Sequence, residues 1–473
     1  MITYEFFKDK RVTVFGLGLN GGGVATVRFL AEHGVREIIV TDAKRADELT
    51  SSIDRLKDIR GVTYILGEHR EQDFVDVDMV IINPGIPWTN EHVQKAREAN
   101  IPVEMDASIF FQLCPCPIIG VTGSKGKTTT STLIAAILEE AGKDVISVGI
   151  GQVPVLDALQ HLTATSVVVF ELSSWRLSSL QHIHMSPHIA VFTNLFPDHL
   201  NYYGTMDAYA RDKQLIFANQ TAQDYAVYEE SNILIQNLAK NIVSKKALYN
   251  EQSSIDHASM SELRVYVDDA GNINAKIHNS FQKILNIDEI RMRGEHNRGN
   301  ILAAITASLA FDVEVQSIQK AIVHFPGIEH RLEFVREKDG IQYYNDTAAT
   351  VPEAAINAMK SFEEPIILIA GGNNKKLDFE NMARTIQEKT KDCVFFSGEA
   401  TDNILRLIED SSKDSNVSKS YTQVKTMQDA VRIATQQATV GDVVLLSPGA
   451  TSFGLFKNEF DRGEQYRDCV HKL

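Results

Sequence analysis

The stretch "IIGVTGSKGKTTTSTLIAAILEEAGK", Ile118 to Lys143, decides how this chain is read. Pro117 to Val121 has the composition of a short apolar strand, and Thr122 to Gly126 is small and flexible. From Thr128 the spacing becomes helical, with Leu133, Ile134 and Ile137 on one face and Gly142 as the stop. A glycine-rich turn entering a helix aims backbone N–H groups and the positive helix end at an anion. Lys127 is placed to reach outer phosphates, and the hydroxyl of Thr128 or Thr129 to sit on Mg²⁺. Gly123, Ser124, Lys125, Gly126, Lys127, Thr128 and Thr129 therefore mark an expected phosphate site. The strict pattern G-x-x-x-x-G-K-[ST] asks for glycine at 121, where Val121 stands, so the motif alone leaves the NTPase branch open. The bland alternative is an ordinary strand–turn–helix connection with a surface lysine.

Upstream, residues 11–42 read "RVTVFGLGLNGGGVATVRFLAEHGVREIIVTD". This is a strand, Gly16-x-Gly18-x-x-Gly21, an amphipathic helix and a second strand ending in Asp42, the dinucleotide fingerprint in spacing and context. It reports a pyrophosphate near a helix start, not a nicotinamide, so an NAD-type dehydrogenase and a ligand-free Rossmann-like domain both compete here. "VDMVIINPGIPW", 77–88, adds a strand and a Pro84-Gly85 turn that can close on the same ligand.

Downstream, "SVVVFELSSWRL" (166–177) and "HIAVFTNLFPDHLNYYG" (188–204) are β-branched strands ending in polar residues. Ligands collect at the carboxyl ends of strands in open α/β sheets. Glu171, Asn194, Asp198 and His199 are thus expected to converge above the phosphate loop, where a carboxylate can hold Mg²⁺. His182, His184, His188 and His199 match no common zinc spacing. From about Pro326, "PIILIAGGNNKKLDF", "DCVFFSG" and "DVVLLSPGATSFGLFKNEFDRG" are again strands with glycine-containing exits, separated by helical stretches.

At 473 residues the chain is too long for one core and suggests about three domains. Its 44% hydrophobic and 23% charged content is that of a globular protein. No apolar run approaches a membrane span, and the start enters a strand without a visible signal peptide, so a cytoplasmic protein with no membrane partner is expected. Cys114, Cys116, Cys393 and Cys469 are too few for a disulfide framework and read as reduced thiols. A net charge of −15 argues against nucleic acid as a partner.

With these residues in hand, the chain resembles the Mur ligases, ATP-dependent enzymes that extend the peptide stem of the peptidoglycan precursor. Five motifs stand in family order: "TGSKGKTT" at 122–129, "FELSSWRL" at 170–177, "TNLFPDHLNYYG" at 193–204, "GEHNRGN" at 294–300 and "EHRLEFV" at 329–335. "YNDTAAT" and "LLSPGATSFGLFKNEFDRG" follow. The family's loop has the form T-G-x-x-G-K-[ST], which accounts for the glycine out of register. The likeness runs from Arg11 to the C-terminus, and the most similar branch joins D-glutamate to UDP-N-acetylmuramoyl-L-alanine.

The resemblance implies a three-domain α/β protein. Residues 1–112 would form a Rossmann-like domain for the UDP-sugar, 113–325 a central ATPase domain with a mostly parallel sheet, and 326–473 a Rossmann-like domain for the incoming amino acid. Gly16, Leu17, Gly18, Leu19, Asn20 and Gly21 would then serve UDP, with Asn83 and Gly85 beside them and Asp42 near the uracil. Lys127 would neutralise phosphate, Thr128 and Glu171 would organise Mg²⁺, and His199 would hold a second Mg²⁺. Lys213, in "YARDKQLIF", falls where the family's lysine carries CO₂ as a carbamate, a metal-side carboxylate. Asn297 and Asn300 match positions around adenine and ribose; His330, Arg331 and Asp346 match the stretch joining the C-terminal domain to ATP. Lys375, Lys376, Thr451, Ser452 and Phe453 are the candidates for glutamate. A monomer in cell-wall synthesis is expected.

Two departures keep the added amino acid open. The D-glutamate branch usually reads N-D-S-K-A-T-N where this chain has Asn345 to Val351, so its lysine is replaced by Ala348. The usual S-P-A-x-A-S has become Ser447 to Ser452 with Gly449 and Thr451, followed by Phe453-Gly454. Both changes look more like a branch adding L-glutamate to the same nucleotide. An asparagine usual near "SVGIGQVP" is missing, with Gly151 or Gln152 in its place. A folylpolyglutamate-type ligase shares the ATPase core but should lack the N-terminal domain. A nucleotide-binding module without catalysis would not need both Glu171 and His199.

Overall fold

A computed structural model describes residues 2–150, 154–251, 261–294, 296–373, 377–412, 421–452 and 454–473. Among the described residues no helix is long and apolar enough to cross a membrane. Three sheets carry the chain. The first is parallel, with β1 (Arg11–Phe15), β2 (Glu37–Asp42), β3 (Val62–Leu66), β4 (Met79–Ile82) and β5 (Val103–Glu104) in the order β3-β2-β1-β4-β5. The reversal of direction lies at β1, whose carboxyl end feeds the glycine turn and the helix Gly22–Glu32. That is the switch point at which doubly wound sheets open a crevice.

The second sheet is built from β6 (Ile118–Thr122), β7 (Asp144–Val148), β8 (Ser166–Glu171), β9 (Ile189–Phe192), β10 (Tyr225–Glu229), β11 (Lys245–Asn250), β12 (Leu263–Val267), β13 (Asn272–Ile277) and β14 (Ser280–Asn286). Its order is β14-β13-β12-β11-β10-β9-β6-β8-β7. The strands from β7 through β12 are parallel, and β12 turns into β13 as an antiparallel hairpin. All five residues of β6 are buried, as in a strand covered on both faces. β6 lies between β8 and β9 in register, Val121 opposite both Glu171 and Val191. The phosphate loop therefore leaves the sheet level with the polar ends of its two neighbours.

These two sheets belong to one compact unit, Met1–Leu285 with Gly299–Ala321. They share a continuous apolar core. Phe110 and Phe111, on the helix Asp106–Leu113, meet Phe170 of β8 with ring centroids 5.2 and 5.9 Å apart. The Trp88 indole donates to Ser178 Oγ at 2.7 Å and lies under the Arg97 guanidinium at 4.5 Å.

The other unit, Asn286–Arg298 with Ile322–Leu473, holds the third sheet. It comprises β15 (Glu333–Lys338), β16 (Ile341–Asn345), β17 (Ile366–Gly371), β18 (Thr390–Phe396), β19 (Thr422–Val424) and β20 (Val443–Leu446), in the order β15-β16-β20-β17-β18-β19. Only the β15–β16 hairpin is antiparallel, and apolar clusters cover both faces.

Candidate active site

The loop after β6 is held open by its glycines and braced by β9. Gly126 caps the helix Lys127–Glu140 at φ 80°, in the left-handed region, and no side chain caps that helix start. A Cβ on Gly126 would stand 2.0 Å from Asn300 Oδ1. One on Gly123, at φ 152°, would stand 1.9 Å from Thr193 Oγ1. Asn194 takes the loop on both sides: its Oδ1 accepts from Lys125 N at 2.9 Å and its Nδ2 donates to Lys125 O at 3.1 Å. Ser124 N donates to Asn194 O, and Ser124 Oγ to Phe196 O at 2.9 Å. Asn194 thus spends its polar atoms on the loop, and Ser124 ties the loop to the segment after β9.

The free N–H groups of a capless helix start attract an anion, and the cations gather there. Lys127 Nζ folds over the loop, donating to Gly123 O at 3.1 Å and Ser124 O at 3.2 Å. Burial lowers its pKa, against the pull of the Glu171 charge. Thr128 Oγ1 donates to Glu171 Oε2 at 2.8 Å, so the first turn of the helix and the end of β8 meet as a hydroxyl–carboxylate pair. Thr129 is half-buried. Lys125 reaches outward to Asp198, 3.4 Å away. His199 sits at φ 51° beside the Trp175 ring, 4.9 Å between centroids, with its Nε2 3.8 Å from Asp198 Oδ2.

Lys213 lies beneath the loop, 1% exposed on the helix Met206–Ala218. Its Nζ donates to Gly123 O at 2.8 Å and Thr122 Oγ1 at 3.2 Å and faces the Tyr209 ring at 4.8 Å. Burial, then the Lys127 charge, pulls its pKa from 10.5 to about 7. Asn300 is also buried here, accepting from Thr130 Oγ1 at 3.5 Å.

A cavity of about 530 Å³ opens at the switch point of the first sheet. Gly16, Leu17, Gly18, Leu19, Asn20 and Asn83 line it. Gly21, Asp42 and Gly85 do not. Asp42 is buried behind the turn, where Oδ2 accepts from Gly18 N at 3.0 Å and Oδ1 from Lys44 N at 2.9 Å. Asn83 Oδ1 accepts from Gly85 N at 3.2 Å.

In the other unit, Asp346 is buried and takes Ser447 Oγ at 2.7 Å and Leu332 N at 3.2 Å. Burial raises its pKa to about 7. Arg331 is exposed, while His330 is buried and held by Asn345 Nδ2 at 3.1 Å. Asn297 is buried and donates to Arg293 O at 2.7 Å. Arg462, 1% exposed, donates to Thr347 Oγ1, Thr347 O and Ala450 O at 3.0, 2.9 and 3.2 Å. It fixes the strand exits that carry Ala348 and Thr451. Thr451 Oγ1 donates to Asn373 O at 3.1 Å, and the buried Ser452 Oγ has no partner among the described residues. Lys375, Lys376 and Phe453, like Gly151 and Gln152, lie outside the described residues. Glu329, His330 and Glu464 are close enough to share a metal ion, but Arg467 already occupies that acidic cluster, 2.6 Å from Glu329.

Three domain families match in order: a Mur ligase MurD-like N-terminal domain over residues 10–104, a Mur ligase middle domain over 121–308, and a Mur ligase glutamate ligase domain over 330–449. A UDP-N-acetylmuramoylalanine–D-glutamate ligase of a Roseiflexus species is 40% identical over 465 residues, 98% of this chain and 99% of the relative. One from Clostridioides difficile is 34% identical, covering 98% and 99%. The chain belongs to the Mur ligase family. Solved structures of the family share the fold at low identity. A UDP-N-acetylmuramate–alanine ligase from Thermotoga maritima has TM-score 0.54 at 17% identity, over 98% of this chain and 99% of that one. A D-alanyl-D-alanyl-adding ligase from Acinetobacter baumannii has 0.55 at 14%, over 100% and 92%.

Within this Mur ligase, sequence reasoning missed several polar residues. Lys44, Asp106 and Arg176 line the first cavity. Arg176 and Asp106 are 70 positions apart and pair at 3.0 Å. The signal available was Asp106 itself, an acid inside the apolar run "VEMDASIFFQL". Arg462 carried no signal beyond its place in the last motif.

Proposed function

We propose that the protein is an ATP-dependent acid–amino-acid ligase that adds D-glutamate to UDP-N-acetylmuramoyl-L-alanine in the cytoplasm, as a step of peptidoglycan precursor synthesis. The observation that carries this is the loop after β6. It presents a capless helix start, a lysine folded over it and a hydroxyl–carboxylate pair at its mouth, Thr128 to Glu171 at 2.8 Å. The names of relatives at 33–40% identity over nearly the whole chain supply the acceptor and the amino acid.

A carboxylate does not react with an amine at neutral pH, because its negative charge deactivates the carbonyl. Transfer of the γ-phosphoryl group of ATP to the acceptor carboxylate gives an acyl phosphate, and the amine of glutamate then displaces phosphate. The protein's part is positioning and charge neutralisation. Residues 113–325 would hold ATP through the loop N–H groups, Lys127 and Asn300; residues 1–112 would hold the UDP-sugar; residues 326–473 would hold glutamate.

Thr128 and Glu171 suit Mg²⁺: a hydroxyl oxygen with free lone pairs and a carboxylate, both hard donors, stand 2.8 Å apart at the loop's mouth and would hold the ion. His199 would join a second site. Bound there, Mg²⁺ would neutralise phosphate charge. Lys213 suits CO₂, since a carbamate forms only from a neutral amine and burial favours that form.

L-glutamate is the second reading, favoured by one position. Ala348, half-buried, leaves the exit of β16 without the branch's lysine, a charge-assisted hydrogen bond worth about 1.5–3 kcal/mol. The unpartnered Ser452 Oγ stands as one replacement donor. Phosphate release with UDP-N-acetylmuramoyl-L-alanine and each glutamate enantiomer decides between them, with Ala348→Lys as control. D-glutamate should give the larger kcat/KM, and Ala348→Lys should raise it. Preference for the L-enantiomer, impaired by Ala348→Lys, overturns the D assignment; no release with either overturns the ligase.

A further inference from the structure

Two strand exits of the third sheet share a buried arginine that no carboxylate pairs. Arg462 lies on the helix Glu459–His471, 1% exposed, with all three of its side-chain nitrogens engaged. Nε donates to Thr347 Oγ1 at 3.0 Å, Nη2 to Thr347 O at 2.9 Å and Nη1 to Ala450 O at 3.2 Å. Every one of these acceptors is neutral. Burial pulls its pKa down to about 10, against the charges of Glu459 and then Asp346. Buried guanidinium groups are ordinarily paired, because taking a charge out of water is costly. A cation kept at that cost by neutral acceptors alone is explained by what it holds in place.

What it holds is the spacing of two strands beyond the point where their ladder stops. β16 and β20 are parallel neighbours, and their pairing ends with Asn345 opposite Leu446. Past that point Thr347 and Ala450 are both gripped by one rigid, planar fork. Thr347 Oγ1 passes the link on, donating to Glu459 O at 2.9 Å at the start of the same helix. The helix comes this close because Gly463 has no side chain: a Cβ there would stand 2.3 Å from His330 Nδ1 and 2.5 Å from Thr347 Cγ2. The exit of β20 is tied in turn to that of β17, since Asn373 and Thr451 exchange backbone bonds at 3.2 and 3.3 Å. One residue further on, the buried Ser452 Oγ has no partner among the described residues. An unspent hydroxyl donor thus stands on an exit held by an uncompensated cation, a setting that favours a carboxylate over a neutral group.

We propose that Arg462 is a positioning residue for the incoming amino acid: by gripping Thr347 and Ala450 at once it sets the distance between the exits of β16 and β20, and through that distance the placement of the amino acid's carboxylates. This role rests on residues 326–473 taking glutamate. It adds the residue that enforces the choice between enantiomers without touching the ligand. An amine and two carboxylates are held in one hand only when the partners of the carboxylates stand at a fixed separation, and small displacements of such partners are costly.

Phosphate release by the full chain, with glutamate, ATP and UDP-N-acetylmuramoyl-L-alanine varied in turn, tests this. Arg462→Lys keeps the charge and loses the fork. It should raise the KM for glutamate about tenfold, lower kcat less, and leave the KM values for ATP and the nucleotide within about twofold of wild type. The ratio of kcat/KM for the two glutamate enantiomers should shrink toward one. Thr347→Val removes one acceptor of the fork and leaves the arginine in place. It should move both readouts in the same direction by less, and it decides the matter if Arg462→Lys does not fold. A folded variant with the wild-type KM for glutamate and the wild-type enantiomer ratio overturns the proposal. So does a rise in all three KM values together, which marks a merely structural arginine. A wild-type protein that releases no phosphate with either enantiomer brings down the glutamate reading itself, and this role with it.

Discussion

Replacing Lys213 by Met should stabilise the protein and silence it. The amine is 1% exposed, and its pKa falls from 10.5 to about 7, first through burial and then through Lys127. At about 1.4 kcal/mol per pH unit, the ammonium form costs the folded state about 5 kcal/mol. Below pH 7 both folded and unfolded chains carry the proton, so the cost is fully present. Between pH 7 and 10.5 the unfolded chain binds more protons, so stability rises with pH; above 10.5 the cost is gone. Methionine removes the charge and keeps the length. It also forfeits the bonds to Gly123 O and Thr122 Oγ1, about 1 kcal/mol each. The net gain for Lys213→Met should be about 3 kcal/mol at pH 6 and should cross zero near about pH 9. Urea unfolding of the transition that reports this unit, from pH 6 to 10 in bicarbonate-free buffer with a chelator, measures it. A destabilised variant at pH 6, or a difference that stays flat with pH, would refute the account of Lys213 as a cation held at a cost. The loss of activity has its own control: acetate should partly restore Lys213→Ala by filling the anionic place of a carbamate, whereas rescue by amines would mean that the lysine acts as a cation.

Lys127→Ala should leave the fold intact, because among the described residues the amine's hydrogen-bond partners are the carbonyls of Gly123 and Ser124. It should cost about 2–4 kcal/mol at the transition state, read as a drop in kcat/KM; near-normal turnover by the folded variant would remove the loop from the mechanism. Gly126→Ala should abolish nucleotide binding, since its Cβ would overlap Asn300 Oδ1 at 2.0 Å and its φ of 80° suits glycine. Adding Asn300→Ala should relieve the overlap but not the backbone cost of about 1–2 kcal/mol, so a double variant with wild-type ATP affinity would contradict the steric argument.

The sequence by itself determined the elements whose signals are local. The glycine turns at 16–21 and 123–126 were legible because glycine takes at little steric cost the positive-φ backbone that turns a strand into a helix there. The strand ending in Glu171 and the helix from Lys127 were legible from apolar runs and helical spacing. The order of the motifs carried the family. The β12–β13–β14 stretch was not foreseen, because β14 is exposed on its first four residues, which leaves no clean alternation to read. Tertiary structure alone decided which polar atoms remain for a ligand. Asn194 bonds the backbone of the phosphate loop on both sides, while the Asp42 carboxylate accepts from Gly18 N of the glycine turn and from Lys44 N. Arg176 gave no local sign, because its partner Asp106 sits 70 residues earlier on another helix. A strand or a turn is fixed by neighbours in the chain, whereas the burial that moves the Lys213 proton, and the pairing that holds Arg176 to Asp106, are made by residues brought together only when the sheets pack.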